Sequence, residues 1–478
     1  MITRRERGML AHLPSWTVLP LIGNALKFIG KRNDLSKYYN EVSEIIEETK
    51  LPFVIWLGNI YGVVLSDPEE VRAVSTNNLD KSYIYDFTHI VFGEGLVTAR
   101  GAIWKNNIKK LGSAFKSSAV DAFQVVFNEQ SRGLIKSLET EVGGGPFELQ
   151  HKYLTNVTLR AVSQSALGIS GDGDIIDEKF THAFVRVMEL ILDRTMNIWL
   201  HSEAVYRLTP AYKESEKCAG IVCNITEKVL RQRINQKEDK INVDNGNQDS
   251  DVSMKSFLDL LLEMRETDSS LTEEQIKYEL TTILLAGQET AAAALNFILL
   301  TLGCKPDVQG KLYREIRNVF GDTRRPVSKE DLGRLIYCEA VINETLRLYP
   351  PVPAILRYAD HDVQLKSCTI PKGTTCVFNI WGSGRSKHIW GPDALLYKPE
   401  RWLDPSTASK YASALLTFST GRRACIGRRY AVNLIKTILV HCLTEYEFIS
   451  EADKMTLQMD VFLRPKSGNL LQIRRRSA

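Results

Sequence analysis

Phe418-Ser419-Thr420-Gly421-Arg422-Arg423-Ala424-Cys425-Ile426-Gly427 is the stretch on which the fold turns, and an apolar helical pattern from Tyr430 to Leu443 follows it. Cys425 stands between two glycines and just before a helix start, where free backbone N–H groups stabilise an anion and favour a thiolate. Gly421 and Gly427 permit tight turns and let a flat ligand approach the backbone closely. Arg423 is placed to reach a carboxylate, and Phe418 to shield the sulfur from water. A buried structural cysteine is the competing reading. Five specified positions within ten residues weigh against it.

Working outward, the most apolar long segment runs from Leu280 to Leu302 and is interrupted by Gly287, Gln288, Glu289 and Asn296. An isolated membrane span would bear a high cost for an acid near its centre. A buried helix of a large protein needs only an internal use for the polar cluster. A glycine kink with one odd buried acid is the bland alternative, but such an acid is costly without a task. Further on, Glu344 and Arg347 are spaced three apart, so both lie on one helical face and suit a charge-assisted pair. Surface helices carry many such pairs. This one gains weight from Tyr349-Pro350-Pro351 behind it and from Pro399-Glu400-Arg401-Trp402 later.

Helical periodicity dominates elsewhere: Asp34 to Thr49, Ser66 to Asn77, Trp104 to Leu138, Asp177 to Leu200 and Thr209 to Gln236 are predicted amphipathic helices. Asp67-Pro68-Glu69-Glu70 is a helix start, with a capping acid, proline in the first turn and two dipole-favoured acids. Phe53 to Leu57 and Tyr61 to Leu65 suggest a hairpin, and short strands are predicted at Val363 to Leu365, Thr374 to Asn379 and twice between Leu457 and Arg474. Asn235 to Met254 is polar and is expected to be a mobile loop. The fold class is therefore mainly α with small β-sheets.

The 478 residues carry 61 basic and 57 acidic side chains, a net charge of +4, with 44% hydrophobic and 25% charged residues. That excludes a disordered or collagen-like chain and argues against a dedicated nucleic-acid binder. Eight cysteines lack the density of a secreted disulfide scaffold. No apolar run follows the basic start Met1-Ile2-Thr3-Arg4-Arg5-Glu6-Arg7, so neither a secretory signal nor a membrane anchor is read in residues 1–12.

The cysteine stretch resembles the haem-binding loop of the cytochrome P450 superfamily, the haem-thiolate monooxygenases, whose pattern F-x-x-G-x-R-x-C-x-G it matches at every specified position. The resemblance spans Leu13 to Arg474 and implies one catalytic domain over residues 13–478, with haem b between a long distal helix and a proximal cysteine loop. It implies Cys425 as axial iron ligand and Phe418, Gly421, Arg423 and Gly427 as haem-loop residues. Ala286-Gly287-Gln288-Glu289-Thr290 is similar to the family's [AG]-G-x-[DE]-T: Ala286 and Gly287 would leave room for dioxygen, while Glu289 and Thr290 would relay protons as catalytic residues. Glu344, Arg347 and Arg401 would form a buried structural network. Arg357 and Trp104 lie where the family places contacts to the two haem propionates. Met188 to Arg233 resembles insect microsomal members of the family-4 clan.

The same resemblance implies a lipophilic substrate (fatty acid-like, hormone-like or xenobiotic), dioxygen, and electrons from NADPH-cytochrome P450 reductase, with cytochrome b5 as an assisting donor. Lys105, Lys109, Lys110, Arg422, Arg428 and Arg429 are candidates for a basic docking face. The implied location is the cytosolic face of the endoplasmic reticulum membrane, through peripheral contact or an anchor in a longer form. Two departures stand out. Many relatives have arginine where Ile108 stands, leaving Lys105 or Lys109 as substitutes that offer a point charge in place of a planar fork. Many family-4 fatty-acid hydroxylases carry a haem-bonding glutamate where Ala286 stands, which excludes covalent attachment by that route. A haem-binding relative that does not activate oxygen, either a rearrangement enzyme or a ligand-binding protein, is the alternative reading.

Overall fold

A computed structural model describes residues 4–28, 35–58, 60–169, 178–243 and 255–476. Helices dominate, and the longest apolar one, Glu273–Gly303, is the axis around which the others pack. Thr272 caps it by accepting the Gln275 N–H at 3.1 Å, and Glu273 and Glu274 in its first turn suit the helix dipole. It is apolar around most of its circumference because most of it is buried, from Leu280 and Leu284 through Phe297 to Leu302. By length and composition it would suffice to cross a membrane, but most of its apolar window lies inside the protein.

The sequence missed where several helices break. The predicted run from Trp104 to Leu138 is divided into Gly101–Leu111, Ser117–Ala122 and Gln124–Leu138. The physical reason is a change of core. Trp104 and Leu111 pack with Phe92, Leu280 and Leu284, whereas Val126, Phe127 and Leu134 pack with Leu434 and Ile438 of the helix Arg428–Glu445. One straight helix cannot serve both. The helix predicted to end at Gln236 continues to Val243, which overturns the start of the expected loop. The rest of that loop, 244–254, lies outside the described residues. The helix Asp177 to Leu200 is observed as Glu178–Met196 followed by a tighter turn, Ile198–His201. Asp67 caps Pro68–Asn77 as expected, accepting from Glu69 and Glu70 N–H at 2.9 and 3.0 Å.

Phe53–Leu57 and Ile60–Leu65 form the predicted antiparallel hairpin, in the register Phe53 opposite Val64. Ile60–Leu65 then pairs in parallel with Thr375–Asn379, whose other edge takes Ala354–Tyr358 antiparallel. That last strand was not predicted, and it sets Arg357 opposite Cys376. Three smaller sheets complete the strand content of the described residues.

Candidate active site

The cysteine loop is held by its own backbone. Cys425 N–H donates to Phe418 O at 2.8 Å, and Ser419 N–H to Leu416 O at 2.7 Å. Gly421 has φ +72°, and a Cβ there would meet Ser75 O at 2.7 Å, so glycine is required by close packing against Pro68–Asn77. At Gly427 a Cβ would meet only Cys425 Sγ, at 3.9 Å, which leaves the surface beside the sulfur open to a flat ligand. Of the eight cysteines, Cys425 alone is exposed by area, although protein encloses it on most sides. The expected thiolate preference is only half present. Burial pushes the thiol pKa up, against the Gly427 and Arg428 N–H groups and the Arg428 charge, which pull it down. Burial outweighs these, and a metal on the sulfur would favour the thiolate. Phe418 packs against the core, with the Arg428 guanidinium 5.3 Å from its ring centre.

On the central helix, Ala286 is exposed and Ile283, Gly287 and Thr290 are half-buried, although Leu284, Leu285, Gln288 and Glu289 beside them are buried. An accessible stripe in the middle of an interior helix is the wall of a chamber. Ile283 borders the same apolar cluster as Ile426, the neighbour of Cys425, and as Val352, Trp104 and Phe462. Gly287 also packs against a neighbouring helix: a Cβ there would lie 3.0 Å from Val162 Cγ2, so it lets Thr155–Val162 approach. Thr290 Oγ1 donates to Ala286 O at 2.7 Å. Glu289 is 1% exposed and does not reach solvent itself; its Oε1 accepts from Arg464 Nη2 at 2.9 Å. Arg464, in the strand Leu463–Ser467, was not singled out from the sequence because no local pattern ties it to a residue 175 positions away.

Beside the cysteine loop stands a cluster of cations that Asp80 approaches but does not pair with. The buried Arg423 donates to Leu79 O at 3.0 Å, Leu96 O at 3.1 Å and Ala99 O, and its guanidinium lies 4.6 Å from the centre of the Trp104 ring. Arg357 is 1% exposed, donates only to its neighbour's carbonyl, Leu356 O, and has a buried Nε with no partner. Lys81 lies over the Tyr85 ring at 4.4 Å. Its pKa is pushed well below the usual lysine value by burial and by Arg357 and Arg423; burial likewise lowers Arg357, and burial together with Arg357 lowers Arg423. Because an arginine keeps its proton, these shifts reflect first the burial of charge, with repulsion of Lys81 by Arg357 and Arg423 and of Arg423 by Arg357 added to it. Among the described residues none of the three makes an ion pair, so the cradle suits a ligand with two carboxylates. Lys105 and Lys109, the expected substitutes for an arginine at position 108, are both exposed, and Lys81 takes the inward place. We expect Lys81→Met to speed loss of the bound ligand several-fold while leaving the fold intact, measured by transfer to an apo-acceptor protein; a charge-assisted hydrogen bond contributes about 1.5–3 kcal/mol.

Glu344, Arg347 and Arg401 come together as expected. Arg347 grips Glu344 with two parallel bonds of 2.8 Å, and Arg401 Nε donates to Glu344 Oε1 at 3.0 Å. Arg347 also donates to Gly384 O, Ala394 O and Leu396 O. Thr417 Oγ1 donates to Leu346 O at 2.8 Å, which ties the helix Ile336–Leu348 to the cysteine loop. A surface recess of about 490 Å3 between Lys311 and Glu400 shares no residue with this site. Among the described residues no group of three or more His, Cys, Asp or Glu side chains could hold a metal unaided.

An accessible thiol, an accessible stripe on the central helix and a cluster of three cations without an ion pair suit a ligand with an apolar body and two carboxylates, as in a haem-thiolate protein. The cytochrome P450 family model matches residues 13–473, and the chain belongs to the cytochrome P450 family. It is 32% identical over 467 residues to cytochrome P450 4c21 of Blattella germanica, an alignment covering 95% of this chain and 92% of that protein. It is 31% identical over 471 residues to cytochrome P450 4V2 of Homo sapiens (96% and 89%) and 30% over 491 residues to cytochrome P450 4c3 of Drosophila melanogaster (98% and 91%). The resemblance to family-4 members thus holds for insects and extends to mammals. The protein is a cytochrome P450 monooxygenase with an iron haem cofactor, using dioxygen and a redox partner.

Proposed function

We propose that residues 13–478 act as one catalytic unit that inserts an oxygen atom into a lipophilic substrate, fatty acid-like, hormone-like or xenobiotic, with Cys425 as axial ligand of haem b. The observation that carries this reading is the uncompensated cluster of Lys81, Arg357 and Arg423 beside the one exposed thiol. When bound, the haem supplies the redox chemistry of dioxygen. The chain supplies the rest. Lys81, Arg357 and Arg423 hold the two carboxylates, and Trp104 braces Arg423 from behind. The apolar side chains of Ile283, Val352, Ile426 and Phe462 exclude water and accept an apolar substrate. Thr290 holds a hydroxyl on the chamber wall, and Glu289 holds a proton-exchanging carboxyl behind it, with Arg464 forming the link towards the surface.

Electrons come, in this reading, from NADPH-cytochrome P450 reductase, with cytochrome b5 assisting, on the cysteine side. Lys105, Lys109, Arg422 and Arg428 are exposed there and in no ion pair among the described residues, whereas Lys110 and Arg429 hold Asp268 and Asp121. Peripheral contact with the endoplasmic reticulum membrane, on its cytosolic face, is supported by an apolar surface. Leu21 and Leu208 are 95% and 87% exposed, with Leu26 and Trp199 also exposed. Leu21 O and Ile198 Cδ1 both lie within 3.6 Å of a Cβ built on Gly58, so the two segments adjoin.

Reconstitution with the reductase, NADPH and a panel of fatty acids and apolar drugs tests this reading. NADPH-dependent oxygenated product is expected, and a haem-loaded protein that consumes no NADPH with any of them would favour the non-oxygenating alternative. Thr290→Ala is expected to keep haem content and to lower product formed per NADPH consumed by about two orders of magnitude, the lower end of the ~10²–10⁴-fold range of positioned proton transfer.

A further inference from the structure

One buried carboxyl has no part in the mechanism above. Glu279, two turns before Ala286 on the central helix, is 0% exposed. Its Oε2 accepts the Leu96 N–H at 2.9 Å, and its Oε1 accepts from Gln275 Nε2 at 2.8 Å and Asn107 Nδ2 at 3.2 Å. The Leu96 peptide is shared: its N–H points to Glu279, while its carbonyl takes Arg423 Nη1 at 3.1 Å. Asn107 is three residues after Trp104 on Gly101–Leu111 and so lies on the same helical face as the ring that braces Arg423. The turn itself is pressed onto the central helix at Gly95, where a Cβ would clash with Thr282 Oγ1 and lie 2.9 Å from Tyr278 O.

We infer that Glu279 is a positioning residue for the haem: through the Leu96 peptide and Asn107 it fixes the turn that aims Arg423 at a haem carboxylate. The inference rests on the proposed reading of Arg423 as a carboxylate-holding residue. All three groups that bond Glu279 are donors, so the ionised form satisfies them and a protonated oxygen opposes one of them. Burial raises the Glu279 pKa to about 7, against the pull of the Leu96, Gln275 and Asn107 donors. A carboxyl raised in this way contributes stability that is full below about 4.5 and gone above about 7. The global fold therefore favours the proton, while the Arg423 support favours its absence.

Around Glu279 no charged side chain makes a hydrogen bond to it. The turn offers Glu94, which is exposed and bonds only through its carbonyl. The helix Gly101–Leu111 offers Lys110, held by Asp268. The central helix offers Tyr278, whose hydroxyl donates to Glu274, and Lys277, which lies towards Glu227. The cysteine loop offers Arg423, one peptide away.

The test is the rate of haem transfer from the ferric holoenzyme to apomyoglobin between pH 6 and 8. Wild type is expected to lose haem several-fold faster at pH 6 than at pH 8. Glu279→Gln should lose it at the fast rate at both pH values, removing that slope. Gln275→Leu, which deletes one donor near the surface, should move the midpoint of the wild-type profile upward, and it serves if Glu279→Gln folds poorly. Arg423→Gln separates the two readings. If it leaves haem loss unchanged, the assignment of Arg423 fails. If it accelerates haem loss while Glu279→Gln and Gln275→Leu both follow the wild-type profile, the positioning role of Glu279 is overturned alone.

Discussion

Replacing Cys425 with alanine is expected to abolish monooxygenation, with a loss of at least about 10³-fold, or ~4 kcal/mol of transition-state stabilisation, while the chain stays folded. The fold survives because the loop is closed through the Cys425 backbone N–H, which alanine retains, and because the side chain is exposed by area and fills no core space. The carboxylate cradle of Lys81, Arg357 and Arg423 is untouched, so some haem is still held, without the thiolate that pushes electron density towards O–O cleavage. Haem content per chain, the ferric Soret band and NADPH-dependent product are the three readouts. Product within tenfold of wild type would mean that another group serves the iron.

Arg347→Ala is expected to do the reverse and strike the fold first. Arg347 and Glu344 are both buried, and the alanine variant leaves the Glu344 carboxylate to Arg401, Trp402 and the Lys398 N–H alone, with the Gly384 and Ala394 carbonyls deprived of their donor and Leu396 O left to Arg401. Breaking a buried, hydrogen-bonded pair from one side costs about 3–5 kcal/mol. A domain's whole stability is only about 5–15 kcal/mol. Most of the chain should then be recovered without haem, because the helix that carries Arg347, Ile336–Leu348, supports the cysteine loop through Leu346 and Thr417. Arg347→Lys should not rescue it, since a point charge cannot grip Glu344 with two bonds while reaching three carbonyls. The exposed pair Arg231–Glu227 is the control: Arg231→Ala should shift the urea midpoint of the holoenzyme by no more than ~0.5 kcal/mol in stability.

These residues differ in how plainly they stood in the sequence. Cys425, Arg423, Glu344 and Arg347 were legible because their spacing is local and their chemistry demands it. Arg401 came with them through the family resemblance. Lys81, Arg464 and Glu279 were not legible. Each acquires its meaning from partners more than 170 positions away, or from the company of Arg357 and Arg423, and no short-range period records such contacts. Two glycines have protein neighbours that the sequence did not reveal: Gly421 yields to Ser75 and Gly287 to Val162, both surfaces that only the tertiary fold brings near. The helix breaks between Leu111 and Gln124 escaped for a related reason, since amphipathic period alone does not reveal that two successive apolar faces serve different cores.

The reduced carbon-monoxide difference spectrum of the purified full chain tests the central claim most directly. A Soret maximum at the long-wavelength position diagnostic of a thiolate opposite the carbon monoxide is predicted for wild type, and its loss in the Cys425→Ala protein. A maximum at the shorter-wavelength position of imidazole ligation, a thiolate band that survives the alanine substitution, or a wild-type chain that takes up no haem would contradict it.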